Sequence, residues 1–408
     1  MTARVLLHGG QVFDGTGAPA EQADVVMAGG LIVEVGSDLD GDIGVDVSGA
    51  TVLPGIIDSH VHVTASGVDL MQRLNRPFSY QFFAAVQNLE ATLQTGITTV
   101  RDAGGADLGV QQAVKDGLVR GPNLLLAINI IGQTGGHGDG WFPSGFDVPV
   151  IGTHPGRPAA TADGTHELRK VVRSLLRAGA DVIKICTTGG VLSPRDDPRH
   201  SQFSPEEIEV VVAEAAAAGR VVMAHAQGAQ GIKNAVRAGV RSIEHGIYLD
   251  EEAIGLMIER GTWLVPTLMA PRAVLAAAAA GAQLPQSVID KAAEVTAVHV
   301  ASMTAAVQAG VRIAMGTDSG VGPHGHNLDE LPLMQECGMS PEEVLAASTS
   351  GSAELCGLRD VTGRVAPGLA ADLIVLEGHS LELTTLRKRL EQVWQRGELV
   401  VDHAGADR

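Results

Sequence analysis

Gly55-Ile56-Ile57-Asp58-Ser59-His60-Val61-His62 is the stretch on which the reading of this 408-residue chain turns. It is a short apolar run opened by Pro54-Gly55, which predicts a buried strand. Side chains alternate faces along a strand, so His60 and His62 project to the same side at its end. Two neutral imidazoles sharing a face can ligate a divalent cation. A lone His-x-His pair is satisfied just as well by ordinary hydrogen bonds, so the deciding information lies further along the chain.

Upstream, residues 4–53 predict a small β unit. Gly9-Gly10, Asp14-Gly15 and Gly29-Gly30 separate short β-branched runs, which are hairpin signals. Downstream, a module repeats: a helical stretch ends at Gly, a mostly apolar run follows, and a polar residue stops it. Its instances are residues 96–102, 179–184, 219–225, 239–245, 261–267 and 310–318. With 55–62 and 124–131 they make eight strands. The runs do not alternate, as expected of parallel strands buried on both faces. The pattern predicts an α/β protein in which residues 55–358 form a (β/α)8 TIM barrel. An open doubly wound sheet is the competing arrangement, but the Gly-x-Gly-x-x-Gly it requires after the first strand is absent. Residues 132–169, rich in Gly and Pro, read as a strand-end loop, and 273–283 as an exposed helix with its loop. Strand texture returns after residue 358, so residues 1–54 and 359–408 are expected to join as a small β-sandwich domain.

Composition narrows the function classes. The chain carries 47 acidic and 29 basic residues, a formal charge of −18. That field repels phosphate backbones and anionic lipid, so neither nucleic acid nor a membrane surface is an expected partner. Cys186, Cys337 and Cys356 form no Cys-x-x-Cys pair, and a disulfide framework is not expected. The opening residues lack a signal peptide's long apolar region, and no apolar run reaches membrane-span length. The expected location is cytoplasmic.

The C-terminal ends of barrel strands converge on one face. That places His60 and His62, Lys184, His225, His245 and Asp318 together. Four imidazoles gathered without a cation would each need a separate hydrogen-bond partner. Lys184, framed by Val182, Ile183, Ile185 and Cys186, is costly to bury as a free ammonium. If carbamylated by carbon dioxide it becomes a two-oxygen anion able to bridge two metals.

These motifs, with Glu244-His245-Gly246, Gly316-Thr317-Asp318 and the closing Gly363, Gly368 and Ala371-Asp372, resemble the amidohydrolase superfamily over essentially the whole chain. Residues 184–191 and 224–228 resemble its prolidase and carboxypeptidase-like branch, which is related in sequence to imidazolonepropionases. The resemblance implies a binuclear metal hydrolase. His60, His62 and Asp318 would hold the more buried of two divalent ions, and His225 and His245 the more exposed. Carboxylated Lys184 (N6-carboxylysine) and a hydroxide would bridge them, with zinc the default metal. Asp318 would move the proton from the hydroxide to the leaving nitrogen. His137, in Gly135-Gly136-His137-Gly138-Asp139, matches a family position that donates to the substrate carbonyl.

The implied reaction is hydrolysis of an amide bond in a dipeptide or N-acyl amino acid-like small molecule, by a homo-oligomer. Carbamate, urea or lactone cleavage on the same site is the alternative. Heterocycle deamination is a weaker one, because family deaminases carry Glu where this chain has Gly228 and lack the strand-end lysine. A non-catalytic relative typically loses ligands, and this chain keeps all six. Gln227 stands where several related peptidases have Tyr for a substrate carboxylate. Arg195, Arg199 and Arg272 are the substitutes considered for that task. Tyr248, with Trp141 and Phe142, is expected near the mouth, and His324 beside Asp318 is counted among the substrate contacts. His326 is a loop neighbour, and His166, His299, His379 and His403 are read as structural or solvated.

Overall fold

In the computed structural model, residues 2–403 are described, and they form a mixed α/β fold. The repeat builds two parallel sheets. One holds three strands, with Ile97–Asp102 between Ile56–Val61 and Asn123–Leu126. The other holds six, running in chain order from Ile130–Ile131 through Val182–Cys186, Val221–Ala226, Ser242–His245 and Trp263–Val265 to Arg312–Ile313. Backbone hydrogen bonds join the two sheets at both edges. Asp181 N–H donates to Leu126 O (2.8 Å), while Ser59 N–H donates to Met315 O (2.9 Å) and Asp318 N–H to His60 O (2.7 Å).

Helices cover the strands, and local sequence sets their ends. Helix Pro205–Ala217 begins with a capping box: the Ser204 hydroxyl accepts from Glu207 N–H, the Glu207 side chain returns to Ser204 N–H, and Pro205 fills the first turn. Helices Ala229–Ala238, Glu251–Arg260 and Gln286–Ala309 each end on a left-handed glycine, at Gly239, Gly261 and Gly310. No helix among the described residues is long and apolar enough to cross a membrane.

Several sequence expectations need correction. Residues 124–131 are two strands, not one, because Ile128 takes a positive φ of 67° between them. Helix Gly164–Arg177 absorbs the end of the 132–169 loop. The strands expected over 261–267 and 310–318 are cut to Trp263–Val265 and Arg312–Ile313. The chain instead turns at Thr267 (φ 53°) and Asp318 (φ 59°). At Gly9-Gly10 there is no hairpin. Val5–His8 pairs with Asp24–Ala28 and Ile43–Asp46, whereas Gln11–Val12 pairs with Glu21–Gln22 and Ala50–Pro54, so the glycines carry the chain from one sheet to another.

The terminal strands form a four-stranded and a six-stranded sheet. In the latter, Ala50–Pro54 pairs antiparallel with Leu373–Glu377, which continues into Leu390–Gln395 and Glu398–Asp402. Leu7, Val25, Ile32, Val52, Leu373 and Trp394 share one apolar cluster between these sheets. Residue 1 and residues 404–408 of the expected terminal unit lie outside the described residues. Strand Ala50–Pro54 runs through Gly55 directly into Ile56–Val61, so the terminal sheet anchors the strand that bears His60.

Close packing beneath that strand is tested at Gly316. An added Cβ would overlap the Val265 side chain and stand 2.9 Å from His60 Cβ. Gly316→Ala is expected to destabilise the fold by about 1–3 kcal/mol, read as a lowered melting temperature.

Candidate functional site

The strand ends bring a continuous run of imidazoles to one cavity of about 730 Å³. The His60 ring centroid lies 5.6 Å from that of His62 and 5.2 Å from that of His245. His245 is 4.7 Å from His225, on which His137 stacks at 4.2 Å. Asp318 closes the group, with Oδ1 at 3.3 Å from His62 Nε2 and 3.6 Å from His60 Nε2. The candidate ligand atoms of His60, His62 and Asp318 all lie within 4.8 Å of one another. Lys184 lines the same cavity at 2% exposure. His245, Thr267 and Asp318 hold positive φ values of 75°, 53° and 59°. Such conformations in non-glycine residues cost roughly 1–3 kcal/mol each and gather at functional sites.

Hydrogen bonds fix which ring nitrogen each histidine offers. His60 Nδ1–H donates to Glu244 Oε2 (2.7 Å) and His62 Nδ1–H to Gly104 O (2.7 Å), leaving both Nε2 atoms to face Asp318. His245 Nδ1 is engaged by Thr267 Oγ1 at 2.7 Å, which frees its Nε2. His225 is reversed: Nε2–H donates to Gly189 O (3.1 Å), leaving Nδ1. Partners of this kind orient metal-binding imidazoles and set their tautomers.

Electrostatics favour the ligating forms. Burial, reinforced by Lys184, holds the His60 imidazole far below its ordinary pKa. Burial and His137 do the same for His225, and burial and His60 for His245. All three are therefore neutral bases. Burial opposes charge on His62 as well, but Asp318 outweighs it and raises that imidazole. Burial would push the Asp318 carboxyl up, yet His62 and His60 hold it below the usual range. Burial also depresses the Lys184 ammonium against the pull of Glu244. Lys184 Nζ and Asp318 Oδ1 are both buried without a hydrogen-bond partner. Of these groups, His60, His62 and Asp318 could hold a metal ion, and the unsatisfied Lys184 amine lies in the same cavity.

Beneath these residues lies a second set of charges to which the sequence reading assigned no role. Glu244 is fully buried and accepts from His60, from Arg101 Nη2 (3.0 Å to Oε1) and from Ser242 Oγ (2.5 Å). Arg101 Nε donates to Ser59 O at 2.6 Å. On the other side, Asp58 accepts from Thr317 Oγ1 and Asn327 Nδ2, each at 2.7 Å, and from the His60 and Thr317 backbone N–H groups. Burial pushes its carboxyl up to about 6 against those donors. The signal for these groups was present: Arg101, Glu244 and Asp58 are charged residues inside apolar strands.

His137 is held by groups distant in sequence. Its Nδ1 lies 2.5 Å from Ser193 Oγ and 3.4 Å from Asp196 Oδ2. Lys291, on helix Gln286–Ala309, donates to Gly190 O (2.7 Å), Ser193 O (2.5 Å) and Asp196 O (3.0 Å), pinning the loop that carries them. Gln227 also lines the cavity, with Oε1 buried and unpartnered. His299 lines it too and bonds His245 O through Nε2 (2.9 Å), with its imidazole pushed down to about 4 by burial.

The remaining expected substrate contacts are placed elsewhere. Arg195 lies over the Trp141 ring, 5.1 Å from its centroid. Tyr248 OH donates to Glu294 Oε1 (3.2 Å), and Arg199 pairs with Asp197 and Glu294. His324 is engaged by Thr92 Oγ1 (3.4 Å) and Ala65 O (3.2 Å), and Arg272 donates to Leu268 O. None of these five side chains lines the cavity.

Comparison with known proteins follows the same residues. The Amidohydrolase family model matches residues 51–400. The chain is 34% identical to the ochratoxinase of Aspergillus niger over 418 aligned residues, covering 97% of this chain and 86% of that protein. The crystal structure of a Xaa-Pro dipeptidase with bound methionine is 34% identical, with a TM-score of 0.89 over 97% of this chain and 99% of that one. That of a prolidase complexed with N-methylphosphonate-L-proline is 37% identical, again at 0.89, over 98% of this chain and all of that one.

Glu244→Gln removes the negative charge shared by His60 and Arg101. It is expected to weaken cation binding about 10- to 100-fold, measured by titrating the metal-free protein with zinc.

Proposed function

The chain belongs to the amidohydrolase family and is an enzyme of amide-bond hydrolysis; from that premise we propose a binuclear metal hydrolase for a dipeptide or an N-acyl amino acid-like amide. The observation that carries the reading is the convergence of neutral imidazoles, a buried amine without a partner and the open Asp318 Oδ1 on one cavity. His60, His62 and Asp318 would hold one divalent ion and His225 and His245 the second, with zinc the expected metal. Burial disfavours the Lys184 ammonium, and its free amine would be nucleophilic toward carbon dioxide. Its amine nitrogen would bond the carbon and release a proton, giving the N6-carboxylysine that links the two positions. When bound, the ions supply Lewis acidity toward a carbonyl oxygen and acidify water.

The protein's own groups do the rest. His137, with Nδ1 occupied by Ser193 and Asp196, presents Nε2 to the substrate carbonyl. As water adds to the carbonyl carbon, Asp318 would take a proton on its carboxylate. It returns that proton to the leaving nitrogen as the C–N bond breaks, so the carboxylate is regenerated. We also read the two parallel sheets as one closed (β/α)8 barrel over residues 55–358, with 1–54 and 359–408 as a β-sandwich beside it. The bonds from Asp181 to Leu126 and from Asp318 to His60 support that closure.

Protein prepared with zinc and bicarbonate is expected to carry close to two ions per chain by elemental analysis, and to hydrolyse members of a dipeptide and N-acyl amino acid panel. Asp318→Asn is expected to lower kcat by about 10²- to 10⁴-fold. Lys184→Ala should remove the bicarbonate dependence together with one metal equivalent. Unchanged amidase activity in both variants would refute the mechanism, and turnover confined to carbamates, ureas or lactones would reassign the substrate.

A further inference from the structure

The residues lining the same cavity include a buried cation that no carboxylate pairs with among the described residues. Arg157 sits in the loop after strand Ile130–Ile131, its backbone exchanging hydrogen bonds with His154 at 2.9 and 3.1 Å. Its side chain lines the cavity, yet the residue is only 2% exposed. Nη1 donates to Gly152 O (2.9 Å) and Nη2 to Gln81 Oε1 (3.1 Å), both uncharged acceptors. Nε has no partner at all. Among the described residues no carboxylate lies within 4.0 Å of the guanidinium. The acids whose fields reach it are Asp102 and Asp107. Asp102 is occupied by the backbone N–H groups of Val63, Gly104 and Ala106, and Asp107 caps helix Leu108–Lys115. An unpaired buried charge is expensive, and it persists where an anion completes it.

Two other arginines line the cavity but reach solvent: Arg73 donates to the Pro149 and Val150 carbonyls, and Arg76 lies 4.5 Å above the Tyr80 ring. Gln227 carries no charge with which to balance an anion.

We infer that Arg157 receives a carboxylate of the substrate, so that the preferred substrate is an amide bearing a free carboxylate and an apolar body. This rests on the hydrolase reading above. The Nε and Nη2 hydrogens of a guanidinium form the fork that a carboxylate fits with two parallel bonds. One oxygen takes the idle Nε–H, and the other takes the Nη2–H now given to Gln81 Oε1. Gln81 itself lines the cavity and holds that position with a weaker, neutral acceptor. Phe142, Ile151, Val191, Leu192 and Val288 supply apolar wall for the rest of the molecule.

The test uses the metal-loaded full chain with N-acetyl-L-phenylalanine and its carboxamide, which differ only in the charge at issue. Binding is measured by calorimetry and turnover by kcat/KM. Arg157→Gln should weaken the acid about tenfold to a hundredfold while changing the carboxamide less than about threefold. Arg157→Lys keeps the charge but not the fork, and should leave an intermediate preference. Equal losses for both ligands, or a wild-type protein that binds them alike, would overturn the assignment. If the wild type binds the acid through Arg157 but hydrolyses neither compound, the hydrolase reading falls and this one stands. Hydrolysis of both at equal efficiency, indifferent to Arg157→Gln, has the opposite meaning.

Discussion

The buried line Arg101–Glu244–His60 is the constraint around which the site is assembled. The buried Glu244 carboxylate is met there by the Arg101 guanidinium and the Ser242 hydroxyl. It accepts from Nδ1 of His60, whose Nε2 then faces Asp318. The three residues come from three different strands, Ile56–Val61, Ile97–Asp102 and Ser242–His245, and the first two belong to a different sheet from the third. The network therefore ties the two parallel sheets across the interior as well as orienting a ligand. Its removal would be felt both in stability and in chemistry.

Much of this was legible in the sequence because it is local. A glycine ending a helix, an apolar run and a polar stop are all contained in a few neighbouring residues. They located the strands and put His60, His62, Lys184, His225, His245 and Asp318 at strand ends, where the structure gathers them on one cavity. What stayed hidden is what depends on partners far along the chain. The hold on His137 by Ser193, Asp196 and Lys291 spans the gap from residue 137 to residue 291. Nor can composition show that Arg157 is covered or that Tyr248 leans on Glu294, because both lie on segments without periodicity. Gly9-Gly10 misled for a related reason. Two glycines permit a tight reversal, but strand pairing elsewhere decides whether the chain takes it.

Charge is handled differently at the two levels of the cavity. At the ligand level, burial strips protons from His60, His225 and His245, so the groups facing inward are neutral donors of electron pairs. One level below, Asp58 and Glu244 keep their carboxylates surrounded by donors.

The pairing of Ala50–Pro54 with Leu373–Glu377 has a consequence for how the protein is made. Strand Ile56–Val61 is synthesised well before Leu373–Glu377, the partner of the strand that leads into it. Asp318 likewise arrives long after His60. During translation the His60 segment must wait beside an unfinished sheet, with its apolar side chains and open backbone groups uncovered. Chains stopped short of Leu373 would lose the partner of that sheet as a whole. Interrupted synthesis should then leave aggregation-prone fragments for quality-control proteases, and not partly active enzyme.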